Sequence, residues 1–132
     1  MTLHVTDTHP LLWYAAGQHQ KLSRTALRLF KNAENNRGLI YVPVVVLWEV
    51  ALLIKKRRFE LLQPFSLWSG MLLAQPGFEL ALLEPEAISQ AMQFHLRDLF
   101  DAAIVATARI KDLPLITKDQ HITEAKIIEI AW

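Results

Sequence analysis

The 132-residue chain has no cysteine, which excludes disulfides, thiolate nucleophiles and cysteine-ligated zinc and agrees with a reducing cytoplasm. Only four glycines are present and none are clustered, so there is no glycine-rich loop to cradle a nucleotide phosphate and no nucleophile elbow. An excess of one charge is also lacking: 14 Lys and Arg against 13 Asp and Glu leave a net charge of +1, which says nothing about partners. The longest apolar run, residues 39–54, is interrupted by Pro43 and Glu49 and falls short of the roughly 20 residues that span a membrane. Met1 to Asp7 has neither the basic start nor the apolar core of a secretion signal. His4, His9, His19, His95 and His121 lack the His-x-x-x-His spacing of a helical zinc site. The expectation is a cytoplasmic protein, neither secreted nor embedded in a membrane.

What is there suits a folded globule. Hydrophobic residues make up 52% and charged ones 20%, a balance that supports a large core rather than disorder. The length fits one domain, residues 1–132, which buries about two-thirds of its unfolded surface. Neither a linker, an internal repeat nor a low-complexity tract divides the chain.

Strand-like and helix-like stretches alternate. Leu3 to Thr6 reads as a strand leading to Asp7, after which Pro10 opens a helix that Gly17 stops. Ser23 is suited to cap a helix running to about Asn36, with Ala26, Leu27, Phe30 and Ala33 on one face and Arg24, Arg28 and Lys31 on another. Leu39 to Val42 reads as a strand, and Val44 to Arg58, free of Gly and Pro, as a helix. Further helices are predicted over Phe65–Ala74, Pro85–Leu96 and Leu99–Lys111, and strands over Glu79–Leu83, Leu115–Thr117 and Ile127–Ile130. This alternation predicts an α/β fold with a mainly parallel sheet covered on both faces.

Four acids stand out against this pattern. Asp7, Glu49, Asp101 and Asp119 each sit where an apolar stretch ends or inside one, although charged side chains are rarely buried without a partner. Asp7 follows the first strand, and Asp119 follows Leu115-Ile116-Thr117 after one residue, which places both where open α/β sheets bind ligands. Asp101 falls in the first turn of a helix, where the dipole favours an anion and is expected to keep it ionised. Glu49 lies mid-helix with no basic residue three or four positions away, so a structural reason for it is hard to find. Carboxylates gathered together are tolerated around a hard cation such as Mg²⁺ or Mn²⁺, which takes oxygen ligands and activates water for attack on phosphate. Thr8 and Thr117 can hold those carboxylates by hydrogen bonds.

Plainer readings stand beside these. Asp7 or Thr8 can cap the first helix, Asp119 can be a turn residue, and Asp98 with Asp101 resembles a capping box with Asp in place of Glu. Glu49 can be partly exposed or paired with a distant Arg. His9 is read as a surface or turn residue, and Lys55-Lys56-Arg57-Arg58 as cations favoured at a helix C-terminus. Trp13, Trp48, Trp68 and Trp132 are read as core or interface residues rather than base-stacking platforms. Two other functions remain open: a non-catalytic module whose acidic pocket receives a basic partner peptide, and a phosphatase or phosphate-accepting receiver, which lacks a second Asp beside Asp7.

The motifs also carry a family resemblance. Asp7-Thr8-His9-Pro10-Leu11-Leu12-Trp13, Leu47-Trp48-Glu49-Val50, Arg97-Asp98-Leu99-Phe100-Asp101 with the Ala-rich segment that follows, and Pro114-Leu115-Ile116-Thr117-Lys118-Asp119 resemble, in order and spacing, the signature blocks of a PIN domain. The chain is similar to VapC-like toxins of bacterial toxin-antitoxin pairs. The resemblance implies a three-layer α/β/α sandwich and a Mg²⁺- or Mn²⁺-dependent endoribonuclease acting on RNA. It also implies a homodimer neutralised by a cognate antitoxin protein. The family's acidic quartet falls on Asp7, Glu49, Asp101 and Asp119, as catalytic residues and metal ligands. The chain departs from relatives at Val44, Val45 and Val46, where hydroxyl residues are common, and at Leu99 and Ala102, where relatives often have Pro and Arg.

Overall fold

Local signals start most elements where the sequence places them. Ser23 Oγ accepts from the Ala26 N–H at 3.0 Å and begins a helix that buries Ala26, Leu29, Phe30 and Ala33. Asp98 Oδ1 accepts from the Phe100 and Asp101 N–H groups at 2.8 and 3.1 Å, satisfying two of the free donors of another helix start. Gly17, at φ 73°, takes the left-handed conformation after the first helix.

The computed structural model describes residues 1–132. Strands β1 (Thr2–Thr6), β2 (Gly38–Pro43), β3 (Phe78–Ala81), β4 (Leu115–Ile116) and β5 (Ile130–Ala131) form one sheet in the order β3-β2-β1-β4-β5, with every pairing parallel. The helices are α1 (Thr8–Ala15), α2 (Arg24–Glu34), α3 (Val44–Lys55), α4 (Phe65–Ala74), α5 (Pro85–Ala91), α6 (Leu99–Lys111) and α7 (Gln120–Ala125). Right-handed crossovers put α1 to α4 on the face reached by stepping from β1 to β3, and α5 to α7 on the other. This is the expected α/β/α sandwich, and α3 touches helices of both layers, α1 and α6. No helix is long and apolar enough to cross a membrane.

The core lies on both sides of the central strands. Val5, Ile40, Val42, Leu115 and Ile116 are fully buried between Leu11, Leu12, Phe30, Val46 and Val50 of the first layer and Ile104, Val105 and Ala108 of α6. Each large side chain among them contributes about 1.5–3 kcal/mol by leaving water. β1 and β4 are neighbours in register, Thr6 facing Ile116, so Asp7 emerges beside Thr117.

Several boundaries differ from the sequence reading. The third helix ends at Lys55 rather than Arg58, with Arg57 at φ 58°, and the helix from Pro85 stops at Ala91 rather than Leu96. The last strand is Ile130–Ala131 rather than Ile127–Ile130. Helix α7 was not anticipated; Asp119 caps it, its Oδ1 accepting from the Ile122 N–H at 2.9 Å. Among the tryptophans, Trp13, Trp68 and Trp132 pack against the core from its rim, but Trp48 is 60% exposed because its position on α3 faces away from both layers.

Gly77 fixes the approach of β3 to α2. A Cβ there would lie 1.8 Å from the Ala33 carbonyl oxygen, a backbone atom that cannot swing aside. Gly77→Ala is therefore expected to destabilise the fold by about 1–3 kcal/mol, measured by urea denaturation; a midpoint equal to the parent's would contradict the contact.

Candidate active site

A wholly parallel sheet sends the carboxyl ends of its strands to one edge, and the four singled-out acids are carried there by four different elements. Asp7 directly follows β1 and caps α1; it is 7% exposed. One of its oxygens accepts from the Thr8 N–H and the other from the Thr117 hydroxyl, both at 2.7 Å. Thr117, fully buried after β4, in turn accepts from the Asp119 N–H at 3.0 Å. One threonine thus ties Asp7 to the loop that presents Asp119. The Thr8 hydroxyl, also fully buried, donates to Glu49 Oε1 and links the start of α1 to the middle of α3. Asp101 stands in the first turn of α6.

The electrostatics report the clustering. Burial pushes the Asp101 carboxyl up, and the negative charges of Asp7, Asp98, Asp119 and Glu49 push it further, to about 7. Asp7 is also raised, chiefly by burial, although the hydrogen bonds from Thr117 and Thr8 oppose this; Glu49 adds to the rise and His9 counters it. The dipole at the start of α6 offers a fraction of a charge in favour of the ionised form, and burial together with the four neighbouring carboxylates opposes it, so without a bound cation Asp101 titrates well above the usual carboxylate range.

Glu49, Asp101 and Asp119 are partly exposed. The hydrogen bonds leave Glu49 Oε2, Asp119 Oδ2 and both Asp101 oxygens free to accept. As the side chains stand, no three acidic or histidine residues are arranged to hold one metal ion. The donor set is nonetheless all hard oxygen, the chemistry that Mg²⁺ and Mn²⁺ select, and its mutual repulsion is the condition a cation relieves. Asp98 is exposed and spends one oxygen on its cap.

Asp7 and Asp119 open into a cleft of about 280 Å³ that they line with His9, Pro10, Trp13 and Lys118, and Glu49 and Asp101 stand outside that lining. A larger cavity of about 600 Å³, bounded by Arg109, Asp112, Lys126 and Glu129, lies at the opposite edge of the sheet and contains none of the four acids. Nothing in the sequence marks Lys118, between Thr117 and Asp119, as part of this lining. Lys21 reaches Trp13 through a short 3-10 turn, His19–Lys21, for which the sequence carries no signal. The Arg24, Arg28 and Lys31 stripe and Lys55 to Arg58 are solvated.

The sequence matches the PIN domain family over residues 5–128. The chain belongs to the PIN domain family. Among solved structures, the fold resembles a chain of VapBC2 from Rickettsia felis bound to a DNA fragment from their promoter. The TM-score is 0.68 at 13% identity, covering 98% of this PIN domain and 97% of that chain. It also resembles a chain of a toxin-antitoxin complex from Klebsiella pneumoniae, with a TM-score of 0.63 at 20% identity and 98% of both chains covered. A comparison with curated proteins finds no match.

The raised Asp101 has a consequence for stability. In the unfolded chain this residue titrates near 3.8, so between about pH 4 and 7 the folded PIN domain keeps a proton that the unfolded chain releases. Folded stability therefore falls as pH rises through that window. With divalent ions removed by chelator, Asp101→Asn is expected to raise Tm over the parent at pH 7, with the gap closing towards pH 4. A constant gap across the window would contradict the shared field.

Proposed function

We propose that the protein is a metal-dependent endoribonuclease, the toxin of a toxin-antitoxin pair, that hydrolyses RNA phosphodiester bonds with Asp7, Glu49, Asp101 and Asp119. The observation that carries this reading is the convergence of four carboxylates at one sheet edge, close enough that together with burial they move Asp101 to about 7. Membership of the PIN domain family supports it, as does the likeness in fold to a chain of VapBC2 and to a chain of a toxin-antitoxin complex.

The four carboxylates would hold Mg²⁺ or Mn²⁺. Bound there, such an ion supplies neutralisation of phosphate charge and a more acidic water. The chain's own residues do the rest. The Thr117 hydroxyl fixes the rotamer of Asp7 and the position of Asp119 together, and the Thr8 hydroxyl aims Glu49. Held in this way, Asp7, Asp119 and Glu49 need no rearrangement of the strands to meet substrate. Lys118 beside Asp119 and Lys21 over Trp13 give the cleft a cationic rim, which attracts a polyanion. That rim disfavours the alternative of a binding module for a basic peptide, which would meet these lysines on entry.

An antitoxin and a second copy of the chain are the partners this reading implies. Leu67 and Met71 of α4 are each about half exposed, at 50% and 52%. Met71 lines an apolar cleft with Leu11, Tyr14 and Trp68, apolar surface of the kind that protein partners cover.

The test is cleavage of a pool of transfer, ribosomal and messenger RNA by purified protein in Mg²⁺ or Mn²⁺. Fragments are expected in the parent, none with chelator, and a loss of at least about 100-fold in Asp7→Asn and Asp101→Asn, the scale of losing one preorganised electrostatic group. Full activity in both variants would overturn the assignment.

A further inference from the structure

We infer that Lys55, Lys56, Arg57 and Arg58, at the end of α3, form a phosphate-binding tract that holds the RNA backbone outside the acidic site. This rests on the ribonuclease reading above and gives it a second contact with substrate.

The four cations are consecutive and all exposed. Between Glu49 and Glu60 the chain carries no acid, so no carboxylate stands three or four residues before any of them, where a helical ion pair would form. The helix end explains only part of the cluster. Its dipole amounts to about half a charge and fades within one turn, whereas four positive charges crowd that turn and repel each other. A partner with several anionic groups in a row relieves the repulsion, and a nucleic-acid strand carries one on every phosphate.

The backbone supplies a second, independent observation. α3 ends in a Schellman turn, in which the Arg57 N–H donates to the Ile54 carbonyl at 3.0 Å and the Arg58 N–H to the Leu53 carbonyl at 2.9 Å. Arg57 is the residue that turns left-handed, at φ 58°. Glycine takes this position without strain, and a residue with a Cβ does not. A cation therefore stands where local stability favours glycine, the mark of a residue kept for another use. Lys126 takes the same conformation after α7, but it follows Glu124 and Ala125 and has no cation beside it in the chain.

Helix α3 also ties the tract to the site. Seven residues separate Glu49 from Lys56, which brings Lys56 back to the side of the helix that carries Glu49, about 10 Å further along. A stacked strand advances about 3.4 Å per nucleotide, so about three nucleotides span the interval. An anionic membrane fits the tract less well. Phe59 packs inward against the core, and Leu62 is the fully exposed apolar residue left nearby to insert.

The test is binding of a labelled mixed-sequence RNA oligonucleotide in Mg²⁺ across a salt series, in an Asp101→Asn background that separates binding from cleavage. Arg57→Gly is expected to leave Tm at or above that of the background protein. It should nevertheless weaken binding about fivefold at about 0.1 M salt and lower the salt slope by about 0.7, the value of one phosphate contact on a single strand. Adding Lys55→Gln, Lys56→Gln and Arg58→Gln lowers the slope by about 2–3 in all. Lys126→Gly, which removes an equal charge from the same backbone conformation beside the cavity at the opposite edge of the sheet, leaves the slope unchanged. An unchanged slope in Arg57→Gly, or an equal fall in Lys126→Gly, would overturn the tract. So would a fourfold variant that loses binding to phosphatidylserine vesicles and keeps its affinity for RNA. Metal-dependent cleavage that Asp101→Asn abolishes, together with tract-independent binding, would leave the nuclease standing and refute the tract. Tract-dependent binding by a protein that cleaves no RNA with Asp101 intact would sink the nuclease and keep the tract as a nucleic-acid contact.

Discussion

Mutual repulsion among four carboxylates at one sheet edge is the constraint on which the site depends. Each acid alone has an ordinary structural use: Asp7 and Asp119 cap helices, and Asp101 lies in a helix's first turn. Their assembly is another matter, because bringing the charges together and out of water pushes Asp101 to about 7 and raises Asp7 as well. The sheet's all-parallel order is what delivers them. β1 and β4 lie side by side at the point where the chain's direction of progress across the sheet reverses, and the loops leaving them carry Asp7 and Asp119 into the same cleft.

Rigidity is unevenly shared among the four. Asp7 is held at both oxygens and Asp119 at one, with Thr117 bonded to each. Glu49 is held at one oxygen by Thr8, and Asp101 by none. The Asp7 carboxylate is thus fixed by the Thr117 hydroxyl and the Thr8 N–H and that of Asp119 by the Ile122 N–H, Glu49 is held at one oxygen, and Asp101 keeps its rotational freedom. As they stand, no three of them are arranged around one ion. A cation that draws Glu49 and Asp101 inward would exchange repulsion for attraction at the cost of two side-chain rotors, a small entropy.

Much of this was legible from residues. Ser23, Asp98 and Gly17 mark helix ends by their chemistry, and Phe65–Ala74 and Leu99–Lys111 are bounded as the pattern predicts. Asp7 and Asp119 could be assigned to one edge because each follows an apolar strand. Helix α7 escaped because six residues are too few for a periodicity to emerge. The raised value at Asp101 escaped because its largest cause is burial and three of the four charges beside it come from other parts of the chain, whereas single-helix reasoning sees only the dipole and Asp98. Trp13 reads in the sequence as a core or interface residue, and it does pack against the core from its rim. Only the fold shows that its ring opens beside Asp7 and Asp119.

The central claim is that the four carboxylates act as one cation site, and calorimetric titration of Mn²⁺ into chelator-treated protein near pH 7 tests it most directly. The account predicts that binding releases a fraction of a proton, because an Asp101 at about 7 must ionise fully to join the ion. It also predicts that Asp7→Asn, Glu49→Gln, Asp101→Asn and Asp119→Asn each weaken affinity by about tenfold or more, the scale of losing one well-placed charge interaction. Absence of binding by the folded parent, or affinity unchanged in all four variants, would contradict it.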